Sequence, residues 1–193
     1  MATLTLAARA TATPTTAPTS PSAAPASKKG SLITEQLVVL GVTRPIYSAL
    51  FSVPVSVAGQ QRFVPTAVTS YVGSFPAIPT AGCFAIATNS GKGEIGAGVA
   101  VLGFTAGVVL LPVVALATYG TGELAFGGTK QAGYAGALGG AASGALLWTL
   151  ASAALPEGVF SRHWWWLVPI GSSLISSAST TGYLWAGQGF SRY

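Results

Sequence analysis

The sequence predicts an all-α membrane protein with about three transmembrane helices. Three uncharged, mainly apolar stretches support this fold class, at residues 95–119, 132–155 and 164–187. Each is longer than the ~20 residues that a helix needs to cross the hydrocarbon core of a bilayer. Charged residues make up only 7% of the 193-residue chain, whereas soluble domains carry roughly 25%. Because so little charge could not cover a soluble domain of this size, the lipid bilayer is the expected partner of these stretches.

The first predicted span, 95–119, has small residues along one face of the helix. Gly96, Gly103 and Gly107 belong to this stripe. Glycine has no side chain, so two helix backbones can approach closely where glycines recur at three- and four-residue steps. We therefore expect this face to pack against another helix.

The second predicted span, 132–155, carries Gly136, Gly140 and Gly144 at strict four-residue spacing. The pattern resembles the glycine zipper of small membrane proteins of cell envelopes, and the resemblance covers this one helix. It implies tight helix packing in a place where lipid offers no hydrophobic drive for association. The expected contact is with the first span of the same subunit, and self-association between subunits is the alternative.

Aromatic and hydroxyl residues define the third predicted span, 164–187. Trp and Tyr concentrate where a bilayer meets water, so its terminal aromatic residues are predicted to lie at the membrane interface. These residues are Trp164, Trp165, Trp166, Tyr183 and Trp185. The hydroxyls of the middle should contact other helices or carbonyls one turn earlier. If that face borders water instead, Ser173, Ser177 and Thr181 would line a pore or transport path.

Three regions follow from this pattern. Residues 1–30 are rich in Ala, Thr, Pro and Ser and contain no acid, which predicts a disordered tail or a targeting segment. Residues 31–94 are predicted to form an interfacial or re-entrant region with a surface loop, and residues 95–193 the transmembrane helical bundle. Orientation is left open, because the flanking Lys and Arg residues are balanced between the two sides.

Arg44 and Pro45 interrupt the apolar run at 36–58. A charge at the centre of a bilayer costs at least ~2.5 kcal/mol, so an amphipathic or re-entrant segment is expected here. The alternative is a kinked span with Arg44 turned inward, which would mark a functional cavity. In the next region, 60–93, three prolines and two short stretches, TAVTSYV and CFAIAT, predict extended segments or a small hairpin.

The sequence predicts no catalytic, cofactor-binding or metal-binding site. His163 is the only histidine, and a metal site needs several ligands at suitable spacing. Ser143 lies within a predicted span with no histidine there to activate it. The nine Lys and Arg residues do not form the basic patch of a nucleic-acid-binding protein.

The expected function is therefore that of a small, non-enzymatic integral membrane protein with a structural or accessory role. Its Gly- and Ser-lined helices would dock against each other, against a second copy or against other membrane subunits. A pore or transport element is the first alternative. An outer-membrane barrel is the second, suggested by the terminal Tyr193, although a barrel needs alternating rather than continuously apolar segments.

Overall fold

The computed structural model describes residues 42–54, 56, 63–91, 94–127 and 133–188, and their regular structure is entirely helical. This confirms the all-α part of the predicted fold class. An outer-membrane barrel is wrong for these residues, because no strand occurs among them. The helices are α1 (residues 42–54 of the described chain), α2 (Phe63–Asn89), α3 (Glu94–Phe126), α4 (Gly133–Ala153) and α5 (Val159–Gln188).

Helices α2 to α5 form one bundle in which α5 is the central element. The most extensive contacts join α4 with α5 and α2 with α3, and α2 also packs along α5. Two contacts in each pair show that both pairs run antiparallel. Gly107 and Thr118 of α3 meet Phe84 and Gly73 of α2 in that order, and Gly136 and Gly144 of α4 meet Gly182 and Ile175 of α5. Between Leu167 and Leu184, α5 is buried on most of its circumference.

The prediction of extended segments within residues 60–93 is wrong, because Phe63–Asn89 is one continuous helix. The helix passes through Pro76 and Pro79. Its buried face is made of small residues such as Gly73 and Ala81, and it lies against its neighbours in the bundle. Tertiary packing of that face has overridden the local preference of Val, Thr and Tyr for extended structure.

The predicted spans correspond to α3, α4 and α5, with different ends, and α4 stops at Ala153, two residues before the predicted end at 155. Helix α3 continues seven residues beyond the predicted end at 119 and stops at Phe126, where Gly127 takes a φ of 77°. Helix α5 begins at Val159, directly after Gly158 with a φ of 79°. It includes a non-helical residue, His163 (φ −124°, ψ 17°), just before the predicted start at 164.

Within the described chain, α3 is the one helix whose length and composition by themselves suffice to cross a membrane. Three such helices were predicted. Much of α3 faces outward, and Val101, Leu102 and Leu116 are exposed. Large apolar side chains are also exposed on α1, α2 and α4, including Leu50, Val64, Leu146, Leu147 and Leu150. The buried polar side chains, in contrast, are those of serines, threonines and Arg44.

Candidate functional site in the bundle interior

The zipper glycines of α4 face α5. A Cβ atom built on Gly136 would strike the carbonyl oxygen of Gly182, and one on Gly140 would strike that of Ala178. At Gly144 it would lie 2.8 Å from the Cβ of Ala178. The expectation that this face packs on the preceding span is therefore wrong. Helix α5 receives it because α5 presents small residues of its own at the same spacing.

Sequence reasoning missed the half of this contact that α5 supplies. Ala178, Gly182 and Ala186 recur every four residues, and that spacing could have revealed them. A Cβ on Gly182 would strike the carbonyl oxygen of Gly136. The contact also includes a hydrogen bond, since Ser179 Oγ donates to the carbonyl oxygen of Ala137 at 2.9 Å.

The glycines of α3 face two different neighbours. A Cβ on Gly107 would lie 2.9 Å from the ring of Phe84 in α2, and one on Gly103 would lie 2.8 Å from the carbonyl oxygen of Cys83. These two residues therefore allow α2 and α3 to approach. Gly96 does not face another helix, because a Cβ there would strike the carbonyl of Gly91 in the preceding connection.

Four of the five aromatic residues predicted for the membrane interface lie at least partly at the surface. Trp164 and Trp165 are exposed, Trp166 is half-buried beside the ring of His163, and Trp185 is 64% exposed.

Tyr183 differs from that prediction, because it is 0% exposed and faces the interior. Its ring fills the notch that Gly122 leaves in α3, and its hydroxyl donates to Glu123 Oε1 at 3.2 Å. Tyr119 and Phe126 complete this aromatic cluster, with ring centroids 6.1 and 6.3 Å from that of Tyr183.

A second buried aromatic residue was not singled out in the sequence. The indole N–H of Trp148 donates to the carbonyl oxygen of Ala81 at 2.9 Å, which ties α4 to α2. The ring lies over Gly171 of α5, where no side chain obstructs it. One tryptophan therefore joins three helices.

Hydroxyl side chains form a polar seam between α2 and α5. We define the seam as Ser70 and Ser74 of α2 with Ser173, Ser176 and Ser177 of α5. Ser70 Oγ lies 2.7 Å from Ser177 Oγ and 3.4 Å from Ser176 Oγ. All five residues are buried.

The three predicted lining residues do not share one surface. Ser173 and Ser177 belong to the polar seam and are enclosed by the bundle. Thr181 is half-buried, and its hydroxyl donates to the carbonyl oxygen of Ser177 at 2.8 Å. It borders a groove of about 580 Å³ on the α4–α5 side, together with Ser143 and Trp185.

Arg44 extends the polar seam towards α1. Its side chain points into the bundle and only 5% of the residue is exposed. One terminal nitrogen, Nη2, donates to Ser74 Oγ at 2.7 Å. The guanidinium carbon lies 3.7 Å from the ring centroid of Phe75 and 5.4 Å from that of Tyr71, which is the geometry of a cation–π contact.

Four buried polar atoms in or near the seam have no hydrogen-bond partner in the described part of the chain. They are Arg44 Nε, Ser48 Oγ, Thr118 Oγ1 and Ser173 Oγ. Buried polar groups are paired in the great majority of cases. This concentration of unpaired groups, three of which can act as either donor or acceptor, distinguishes the seam from ordinary helix packing.

The described acids do not reach this seam. Glu94 begins α3, Glu123 lies in its last turn, and Glu157 lies in the connection before α5. No group of three or more His, Cys, Asp or Glu side chains that could hold a metal occurs in residues 42–54, 56, 63–91, 94–127 and 133–188. The seam can therefore donate hydrogen bonds through its hydroxyls, and Arg44 beside it contributes one positive charge.

No protein-family model matches this chain, and neither a curated protein nor a solved structure is similar to it.

Proposed function

We propose that this chain is an integral membrane protein whose helices α2 to α5 cross the bilayer together and whose role is structural or accessory rather than catalytic. The single observation that supports this is its distribution of polarity. Many large apolar side chains lie outside, and many hydroxyl-bearing side chains lie inside beside an apolar core. In water that arrangement would expose apolar surface and bury polar groups, and both cost free energy. In lipid, the exposure of apolar surface and the burial of polar groups are both favourable.

The placement of tryptophan supports a membrane-spanning orientation of α5. From Trp165 to Trp185 the helix advances by 20 residues, or about 30 Å at 1.5 Å per residue. That distance equals the thickness of a typical hydrocarbon core. Both residues are exposed, so each can lie at one of the two interfaces.

Helices α2, α4 and α5 are less apolar than α3 and are proposed to cross the bilayer as members of the bundle. Their hydroxyls are largely satisfied within the helix that carries them. Thr80, Thr149 and Thr180 donate to the carbonyl four residues earlier at 2.9, 2.7 and 2.9 Å. A hydroxyl bonded in this way carries less of the desolvation cost of a free one.

Helix α1 is proposed to be the re-entrant segment. Its Arg44 contacts Tyr71, Ser74 and Phe75, which lie near the middle of the 27-residue α2. Its apolar side chains Ile46, Leu50 and Val53 face outward. The charged residue can therefore lie at mid-depth because the bundle shields it from lipid.

The structural role is supported by close packing within one subunit. The zipper of α4 is occupied by α5, so the close approach that its glycines allow is used within one subunit. The pore alternative has less support, because Ser173 and Ser177 are enclosed between helices and Thr181 lies elsewhere.

Extraction from native membranes tests the proposed membrane insertion. The protein should remain in the membrane pellet after an alkaline carbonate wash and should enter the supernatant only with detergent. Peripheral proteins in the same sample, released by the wash, provide the control. A monodisperse protein in detergent-free buffer would contradict the proposal.

A further inference from the structure

Arg44 is a buried cation that has no anion beside it among the described residues. No described carboxylate contacts it, and the fourth acid, Glu35, lies outside the described residues. Its one hydrogen bond is to the neutral hydroxyl of Ser74. An isolated charge in an apolar interior is strongly unfavourable, and natural proteins pair such charges or neutralise them. Arginine keeps its proton in proteins, so an anion from outside the described residues is needed to neutralise the charge.

The surroundings of Arg44 favour an oxygen ligand at its edge. One face of the guanidinium is covered by Phe75 at 3.7 Å, and its N–H groups point outward in the guanidinium plane, so we expect an anion at its edge. On that edge, Nε has no partner. The planar fork of arginine matches two oxygens of one group, which is the geometry of a carboxylate.

A second donor lies one turn along α1. Ser48 is four residues from Arg44 and therefore on the same face of the helix. Its Oγ is buried and has no partner in the described chain. An anion between these two groups would satisfy both of them. Because both atoms are enclosed, α1 must move slightly to admit it.

The site's charge and depth restrict the ligand further. One cation neutralises one negative charge, so a dianion would leave an uncompensated charge in the interior. Ser74, the contact of Arg44, lies 11 residues from the start of α2, or ~17 Å along the helix. A lipid phosphate lies outside the ~30 Å hydrocarbon core and does not reach this depth in a spanning bundle.

We propose that Arg44 and Ser48 form a binding site for a small monovalent carboxylate. This goes beyond the structural role proposed above. The choice of a small carboxylate over a lipid phosphate rests on the proposed membrane insertion, whereas binding itself can be measured in detergent whether or not the bundle crosses a bilayer.

Acetate is the probe, exchanged for chloride at constant ionic strength, with the melting temperature of the detergent-solubilised full chain as the readout. A saturable rise of about 5 °C is expected at high occupancy. Arg44→Met keeps an unbranched side chain over Phe75 and should abolish the rise. Arg162→Met removes an exposed arginine and should leave it unchanged.

Ser48→Ala provides a second measurement in a protein that keeps its charge. It should weaken acetate binding ~5-fold, the value of one hydrogen bond. The proposal is overturned if acetate has no saturable effect on the unmodified chain, or if Arg44→Met responds equally. It is also overturned if acetate acts only after Glu35→Gln, since Glu35 would then occupy the site itself.

Discussion

At the scale of single residues, hydroxyl groups hold the interior of the bundle together. Ser70 and Ser177 join α2 to α5 through a 2.7 Å contact between their hydroxyls, and Ser179 joins α5 to the backbone of α4. A buried hydroxyl that loses its partner costs more than the bond contributes. The effect of a substitution here therefore depends on whether it leaves a partner unpaired.

A double-mutant cycle tests the Ser70–Ser177 contact. Each single change to Ala should lower the free energy of unfolding in detergent by about 1 kcal/mol, because it leaves the other hydroxyl without its closest partner. The double variant should lose less than the sum of the two. Ser143→Ala is the control, since this exposed hydroxyl bonds only within α4 and should change stability by less than ~0.5 kcal/mol. Strict additivity would show that the two serines do not interact.

For single residues, the sequence predicted the type of side chain at a contact better than the side of the helix that would be buried. Tyr183 and Trp185 are two residues apart and were both assigned to the membrane interface. Residues two positions apart on a helix point about 160° apart, to nearly opposite sides, so Tyr183 faces Gly122 and Trp185 faces outward. Which of the two is buried depends on the position of α3, and the residues around Tyr183 and Trp185 do not predict that position.

At the scale of elements, close approach of backbones decides which helices pair. Gly140 lies against the backbone of α5, while its neighbour Gly139 is exposed and has no atom within 4 Å of its would-be Cβ. The two glycines have the same intrinsic helix propensity. Their difference is therefore purely one of packing.

Comparison of Gly139→Ala with Gly140→Ala measures this packing directly. Gly139→Ala should stabilise the protein by about 0.5–1 kcal/mol, because Ala is the better helix former. Gly140→Ala should destabilise it by about 1–3 kcal/mol, because the added methyl forces α4 away from α5. Unfolding by titration with a denaturing detergent provides both values. Equal effects of the two substitutions would contradict the α4–α5 contact.

Helix α2 shows the limit of local reasoning for an element. Its prolines and β-branched residues indicate extended structure, yet it forms a helix with a buried small-residue face. The sequence signal for that face was Gly73, Ala77 and Ala81 at four-residue steps. This spacing predicts a packed helix face only when the partner helices also have small residues at the contact.

At the scale of the whole molecule, large apolar side chains cover much of the exterior, while the interior combines an apolar core with many buried hydroxyls. The exposed tryptophans lie towards the two ends of α5, whereas Trp148 is buried among α2, α4 and α5. In a bilayer, the exposed tryptophans of α5 would contact lipid, whereas Trp148 would be surrounded by neighbouring helices.

Single-tryptophan variants in liposomes test the arrangement. With the other tryptophans changed to Phe, the fluorescence of Trp185 should be quenched by lipids that carry bromine near the headgroup. The fluorescence of Trp148 should be quenched much less, because neighbouring helices shield its ring. The Trp185 variant in lipids without bromine is the control. Equal quenching of both, or of neither, would contradict a bundle that crosses the bilayer with α5 at its centre.

The sequence by itself determined that the long stretches forming α3, α4 and α5 are helical and largely avoid charge, whereas it predicted extended structure for α2. Composition and spacing also marked Gly103, Gly107 and the α4 zipper as small surfaces, because the absence of a side chain is a property of each residue alone. Only the tertiary structure decided that the zipper meets α5, that Tyr183 faces inward and that Arg44 lies against α2. Those outcomes depend on which distant surfaces complement each other in shape, and complementarity is a property of pairs of elements.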